Sequence, residues 1–145
     1  MAKIYDPHMH TAEHILNQTM DRMFSCGRDF RAHIETKKSK CDYHFERELS
    51  ADEIVEIQER VNGVIRSDLH VEESFMTRAE ANAMYNTSKL PDNTGDEIRI
   101  IRIGDYDVCP CIGPHVASTQ ELGMFVISSS DYTDGVLRIR FKLYR

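Results

Sequence analysis

The period of the apolar positions changes along this chain, and each change marks an element. Between Pro7 and Phe24, Ala12, Ile15, Leu16, Met20 and Met23 recur at helical spacing, and Asp6-Pro7 supplies an N-cap followed by a proline at the first helical position. The spacing predicts a first helix over 7–24. At about 100° per residue, His10 and His14 project close together, with Asn17 and Asp21, nearly opposite the stripe of Ala12, Leu16 and Met23. The two histidines are expected to face a cleft, not the core. Phe30/Ala32/Ile34 and Cys41/Tyr43/Phe45 alternate with period two around the polar connector Thr36-Lys37-Lys38-Ser39-Lys40, the pattern of a β-hairpin.

Ser50-Ala51-Asp52-Glu53 is a capping-box pattern, and Ile54, Ile57, Val61, Val64 and Ile65 follow it on one face, with Glu56, Glu59 and Arg60 opposite. A second, amphipathic helix packed on a sheet is expected there. Leu69 to Phe75 reads as extended. Thr77-Arg78-Ala79-Glu80 repeats the capping box and opens a short helix reaching Tyr85, and Pro91 to Gly95 reads as a loop. The last third reads as strands: Glu97 to Ile103, Tyr106 to Cys109, Gly123 to Ser129, and a run in which Leu137, Ile139, Phe141 and Leu143 alternate with Arg138, Arg140 and Lys142. These patterns predict an α+β fold, a mostly antiparallel sheet covered by helices, in a single domain over 1–145.

Composition narrows the class further. With 41% hydrophobic residues, a chain of 145 residues buries a core without help from disulfides. Met1 to Pro7 lacks the apolar stretch of a secretion signal, and no segment approaches a membrane span, so no membrane partner and a cytoplasmic location are expected. In that reducing compartment Cys26, Cys41, Cys109 and Cys111 read as thiols or ligands. A net charge of -6 argues against a strongly electrostatic nucleic-acid binder, yet leaves room for a local basic patch.

Candidate chemistry is concentrated in two five-residue motifs about a hundred residues apart, His10-Thr11-Ala12-Glu13-His14 and Cys111-Ile112-Gly113-Pro114-His115. Each offers two zinc donors at i and i+4, and together they make three imidazoles and one thiolate, a set that tetrahedral Zn2+ prefers. Two prolines and a glycine fix a turn around the second motif just after an expected strand. Cys109 is one residue short of a C-x2-C knuckle with Cys111 and reads as a packing or supporting thiol. His10-x-x-Glu13-His14 also spells the H-x-x-E-H pattern of a metalloprotease family, but that reading needs a distant acidic ligand and leaves Cys111 and His115 without a purpose.

The residues also carry a family resemblance. His10-Thr11-Ala12-Glu13-His14-Ile15-Leu16 resembles the HxxxH segment of the editing domain of alanyl-tRNA synthetase and of the freestanding AlaX-type editing proteins. Asp105 to Gly123 resembles the same family's C-x-G-T-H-V and E-[IL]-G segments, Val61-Asn62-Gly63-Val64-Ile65 its V-N-x-x-I helix, and Thr77 to Ala81 its x-x-x-E-A segment. Gly113-Pro114-His115 follows the G-P-H form found in the related editing domain of threonyl-tRNA synthetase.

The resemblance implies a zinc-dependent hydrolase that removes a wrongly attached serine or glycine from tRNA for alanine, acting in trans on misacylated tRNA. It implies His10, His14, Cys111 and His115 as the Zn2+ ligands. Glu13, beside the second ligand, either orients the attacking water or is an exposed helical glutamate, and Arg31 and His33 on the following strand are candidates for binding substrate. Arg138, Arg140 and Lys142, with Arg99 and Arg102 on another strand, either contact the acceptor stem or form solvated strand faces. Two other readings fit the same motifs: a zinc-binding interaction module of this fold that has lost catalysis, and a hydrolase of another small ester or amide.

Overall fold

The computed structural model describes residues 6–87, 90 and 95–145. The chain runs α1 (Pro7–Phe24), β1 (Arg31–His33), β2 (Ser39–His44), α2 (Ala51–Arg66), β3 (Val71–Thr77), α3 (Arg78–Met84), β4 (Glu97–Ile103), β5 (Asp107–Pro110), a 3-10 turn (Thr119–Leu122), β6 (Met124–Thr133) and β7 (Val136–Tyr144). The strands form two antiparallel sheets, one in the order β1-β2-β7-β6 and a smaller one in the order β3-β4-β5. The architecture is α+β, as the periodicity predicts. Among the described residues no helix is long and apolar enough to cross a membrane.

Local sequence explains where the helices begin. The Asp6 carboxylate accepts from the backbone N–H groups of His8 and Met9, and Pro7 needs no partner at the first helical position. Ser50 with Glu53 and Thr77 with Glu80 close reciprocal capping boxes at α2 and α3. Thr77 is both the last residue of β3, opposite Glu97, and the cap of α3, which carries β3 two residues beyond the expected Phe75. The loop expected over 91–95 lies, apart from Gly95, outside the described residues.

One face of the four-stranded sheet is apolar and lies under α1 and α2. Tyr43, Leu137, Ile139, Phe141 and Phe125 meet Ile15, Leu16 and Met20 of α1 and Ile57, Val61 and Ile65 of α2, all essentially inaccessible to water. Each such side chain contributes roughly 1.5–3 kcal/mol by leaving water. A smaller cluster of Ala81, Ile98 and Ile100 joins α3 to the three-stranded sheet.

Two family-like segments prove to be hinges of this packing. Asn62 reaches from α2 to the start of β6, donating to the carbonyl of Phe125 and accepting from its N–H, both at 2.8 Å. Gly123 has φ 74, and a Cβ there would run into the backbone of Tyr144 and Arg145. Strand β6 continues four residues past the expected Ser129, through a polar run. A register shift between Ile127 and Ser129 lets it keep pairing with β7 where simple alternation fails.

Candidate metal centre

Helix α1 presents His10 and His14 one turn apart, and the segment after β5 brings Cys111 and His115 onto them. One donor atom from each of His10, His14, Cys111 and His115 lies within 4.8 Å of all the others. A zinc tetrahedron with bonds of about 2.0–2.3 Å has edges of about 3.4 Å, so a small contraction would close the set. The His10 and His115 rings stack at 4.2 Å, and His14 stands edge-on to both. The two helical histidines are 4% exposed; instead of an open cleft, they sit under the covering segment.

Each imidazole has one nitrogen already engaged. His10 Nδ1 donates to the Pro114 carbonyl at 3.0 Å, leaving Nε2 facing the Cys111 sulfur at 3.3 Å. His115 Nδ1 is 2.9 Å from the Thr11 hydroxyl, whose oxygen also accepts from the backbone N–H of Val116. His14 Nδ1 faces the Cys109 sulfur at 3.3 Å and an Asp107 oxygen at 3.5 Å. Outer partners of this kind fix the tautomer and orientation of a ligating imidazole. Among the described residues, the buried His115 Nε2 has no hydrogen-bond partner. A buried donor or acceptor left in that state is costly, and a cation in the centre would satisfy it.

The charge state suits a soft metal. Burial pushes the Cys111 thiol up, but the imidazoles of His10, His115 and His14 around the sulfur outweigh it and bring it down to about 2, so the thiolate is the resting form. Burial, reinforced by the charges of His14 and His10 against the opposing Cys111, lowers His115 to about 4 and keeps it neutral. Burial alone would lower His14, yet Cys109, Asp107 and Cys111 raise it well above its ordinary value.

Asp107, Arg28, Gln18, Thr11 and Arg99 support the site, although the sequence reading gave none of them this role. The Asp107 carboxylate is 3% exposed and accepts from Arg28 at 2.8 and 3.1 Å and from Gln18 at 2.9 Å. Burial pushes that carboxyl up, but His14 and Arg28 hold it well below the usual carboxylate range. Arg99, read from sequence as either an acceptor-stem contact or part of a solvated strand face, lies against the segment that carries Cys111. Its Nη1 donates to the carbonyls of Cys111 at 3.2 Å and Gly113 at 2.6 Å, and its own carbonyl accepts from the Cys111 N–H.

The remaining candidates fall on two sides of β2. Glu13 is not an exposed helical glutamate: its side chain is 12% exposed, 3.8 Å from His10 Nε2, and grouped with Asp29 and the inward-facing Cys41. Arg31 and His33 do not join the cluster. They occupy the outward face of the four-stranded sheet, where Arg31 meets Asp42 at 2.7 Å and His33 meets Glu35 at 2.7 Å. With Ala32, Lys40, Asp42 and Arg138 they line a shallow depression of about 200 Å³. The distant acidic ligand of the metalloprotease reading is replaced here by Cys111 and His115.

Comparison with known proteins relates the chain to domains of tRNA synthetases. Residues 98–140, which hold Asp107, Cys111, His115 and the Glu121-Leu122-Gly123 segment, match the threonyl and alanyl tRNA synthetase second additional domain. Over 140 residues, 91% of the chain, it is 32% identical to the alanine-tRNA ligase of Methanopyrus kandleri. Over 133 residues, 90% of the chain, it is 34% identical to that of Caldicellulosiruptor saccharolyticus and 32% identical to that of Clostridioides difficile. The chain spans 15% of the length of each of these relatives. With sequence similarity along nearly its whole length and both histidine motifs joined in one centre, the chain belongs to the threonyl and alanyl tRNA synthetase second additional domain family, the editing-domain family of these synthetases.

Proposed function

We propose that this domain acts in trans to hydrolyse the ester that joins a wrongly attached serine or glycine to tRNA for alanine, with Zn2+ held by His10, His14, Cys111 and His115. The observation that carries this reading is the orientation of the three imidazoles. Each has its outer nitrogen occupied, and the inner side of the cluster holds a thiolate and an orphaned nitrogen. Zinc held there would supply positive charge beside the aminoacyl ester, and would act as a Lewis acid on it once one of the four protein ligands yields its place.

The chain's own groups then divide the work. Glu13, beside His10, takes the proton from the attacking water and delivers it to the departing ribose oxygen. Asp107, Arg28 and Gln18 hold His14 in one tautomer, and Arg99 keeps the Cys111 segment seated.

The test is deacylation of serine-, glycine- and alanine-charged tRNA for alanine, with serine-charged tRNA for threonine as comparison. Zinc-loaded protein is expected to release serine or glycine and spare alanine, and His10→Ala to lose the activity. If no charged tRNA is hydrolysed, or if His10→Ala performs as the native chain does, the proposal fails.

A further inference from the structure

The outward face of the β1-β2-β7-β6 sheet gathers basic side chains in register. Sheet register aligns His33, Lys40, Arg140 and Ser129 in one row and Arg31, Asp42, Arg138 and Asp131 in the next, with Lys142 further along β7. Lys37 and Lys38 extend the row from the tip of the β1-β2 hairpin. This concentration stands out in a chain of net charge -6.

The opposing carboxylates are already taken. Asp42 binds both Arg31 and Arg138, Asp131 binds Arg140, and Glu35 meets His33. Among the described residues Lys40 and Lys142 form no ion pair, and Lys40 lies directly across from Arg140. Asp131 offsets the charge of Arg140, and Lys40 beside it has no carboxylate of its own among the described residues. At the end of the same face Phe30 and His44 stack at 3.8 Å, nearly parallel, with the Arg31 guanidinium 5.1 Å from the Phe30 ring. Cations beside flat aromatic surfaces are the combination that holds ribose-phosphate backbone and unpaired bases.

From these observations we infer that this sheet face is the docking surface for RNA backbone, with Lys40 and Arg140 at its centre and the Phe30-His44 pair as a base platform. The choice of RNA as occupant rests on the deacylase reading above. Position fits it too. Lys40 and Asp42 look outward from β2 while Cys41 between them looks inward to Glu13, which lies against His10. Arg31 and His33 thus serve substrate through its backbone, away from the reacting ester.

The experiment measures binding of uncharged tRNA for alanine to the full chain at several salt concentrations, by fluorescence anisotropy. Lys40→Glu/Arg140→Glu is expected to weaken binding at least tenfold, and Lys40→Ala/Arg140→Ala to reduce the slope of log affinity against log salt by about two. Arg60→Glu/Arg66→Glu, with the same charge change on α2, is expected to stay near the native value. The inference is overturned if the native chain does not bind the RNA, if both Lys40/Arg140 variants bind as it does, or if the α2 control falls equally. Because uncharged tRNA is the probe, these outcomes are independent of deacylation. Native protein that binds through this face yet hydrolyses no ester sinks the deacylase and keeps the surface.

Discussion

Asp107 stands 3.5 Å from the outer nitrogen of His14 while both of its oxygens are held by Arg28. The arrangement links a residue on the first helix to one at the start of β5 through a buried carboxylate, beside the cluster that His14 forms with His10, Cys111 and His115. Asp107→Asn is expected to lower zinc affinity about 10–100-fold. Competition against a chromophoric chelator would show it, and an unchanged affinity would mean that Asp107 serves only Arg28.

Arg99 should matter to the metal through the backbone. Hydrogen bonds from a charged donor are worth about 1.5–3 kcal/mol, and its Nη1 makes two to the segment that carries Cys111. Arg99→Gln is expected to speed zinc dissociation by about tenfold or more, since 1.4 kcal/mol is about a factor of ten. Stopped-flow transfer of zinc to a chelator measures the rate.

Asn62 makes a stability prediction separate from the chemistry. Asn62→Ala leaves the N–H and C=O of Phe125 without their partners in a buried setting, at a cost of about 2–3 kcal/mol. Urea denaturation should report that loss, with zinc affinity of the folded protein unchanged.

Acid sensitivity has an identifiable contributor. The Arg47 guanidinium and the Ser50 backbone N–H lower Glu53 from 4.5 to about 2. A carboxyl depressed by folding stabilises the native state above its unfolded value, and that contribution is lost as pH falls from about 4.5 towards 2. Because the pair is at the surface the effect is small and screened by salt. Glu53→Gln should flatten the stability profile in this window at low salt and leave stability above about pH 5 lowered by a constant amount.

Much of the fold is legible in short stretches of sequence. The Asp6-Pro7 start of α1, the two capping boxes and the alternation of Leu137 to Leu143 are local patterns, and the elements form where they predict. The donor types in the two motifs are legible in the same way. Where local pattern misleads, packing overrides it. The histidines on the polar side of α1 are covered because β5 and the segment after it lie over that side. Arg31 and His33 are outward because period two places them with Lys40 and Asp42, opposite the inward Ala32 and Cys41.

The sequence by itself determined the periods, the caps and the chemical kinds of ligand, because these depend on residues within a turn or two of one another. Only the tertiary structure decided that Pro114, Thr11 and Asp107 occupy the outer nitrogens of His10, His115 and His14, and that Arg99 holds the Cys111 segment. The imidazole contacts join residues roughly ninety to a hundred positions apart, and the Arg99 contacts join β4 to the segment after β5. Such partnerships are set by how helix, sheet and turn pack together, which no local period records.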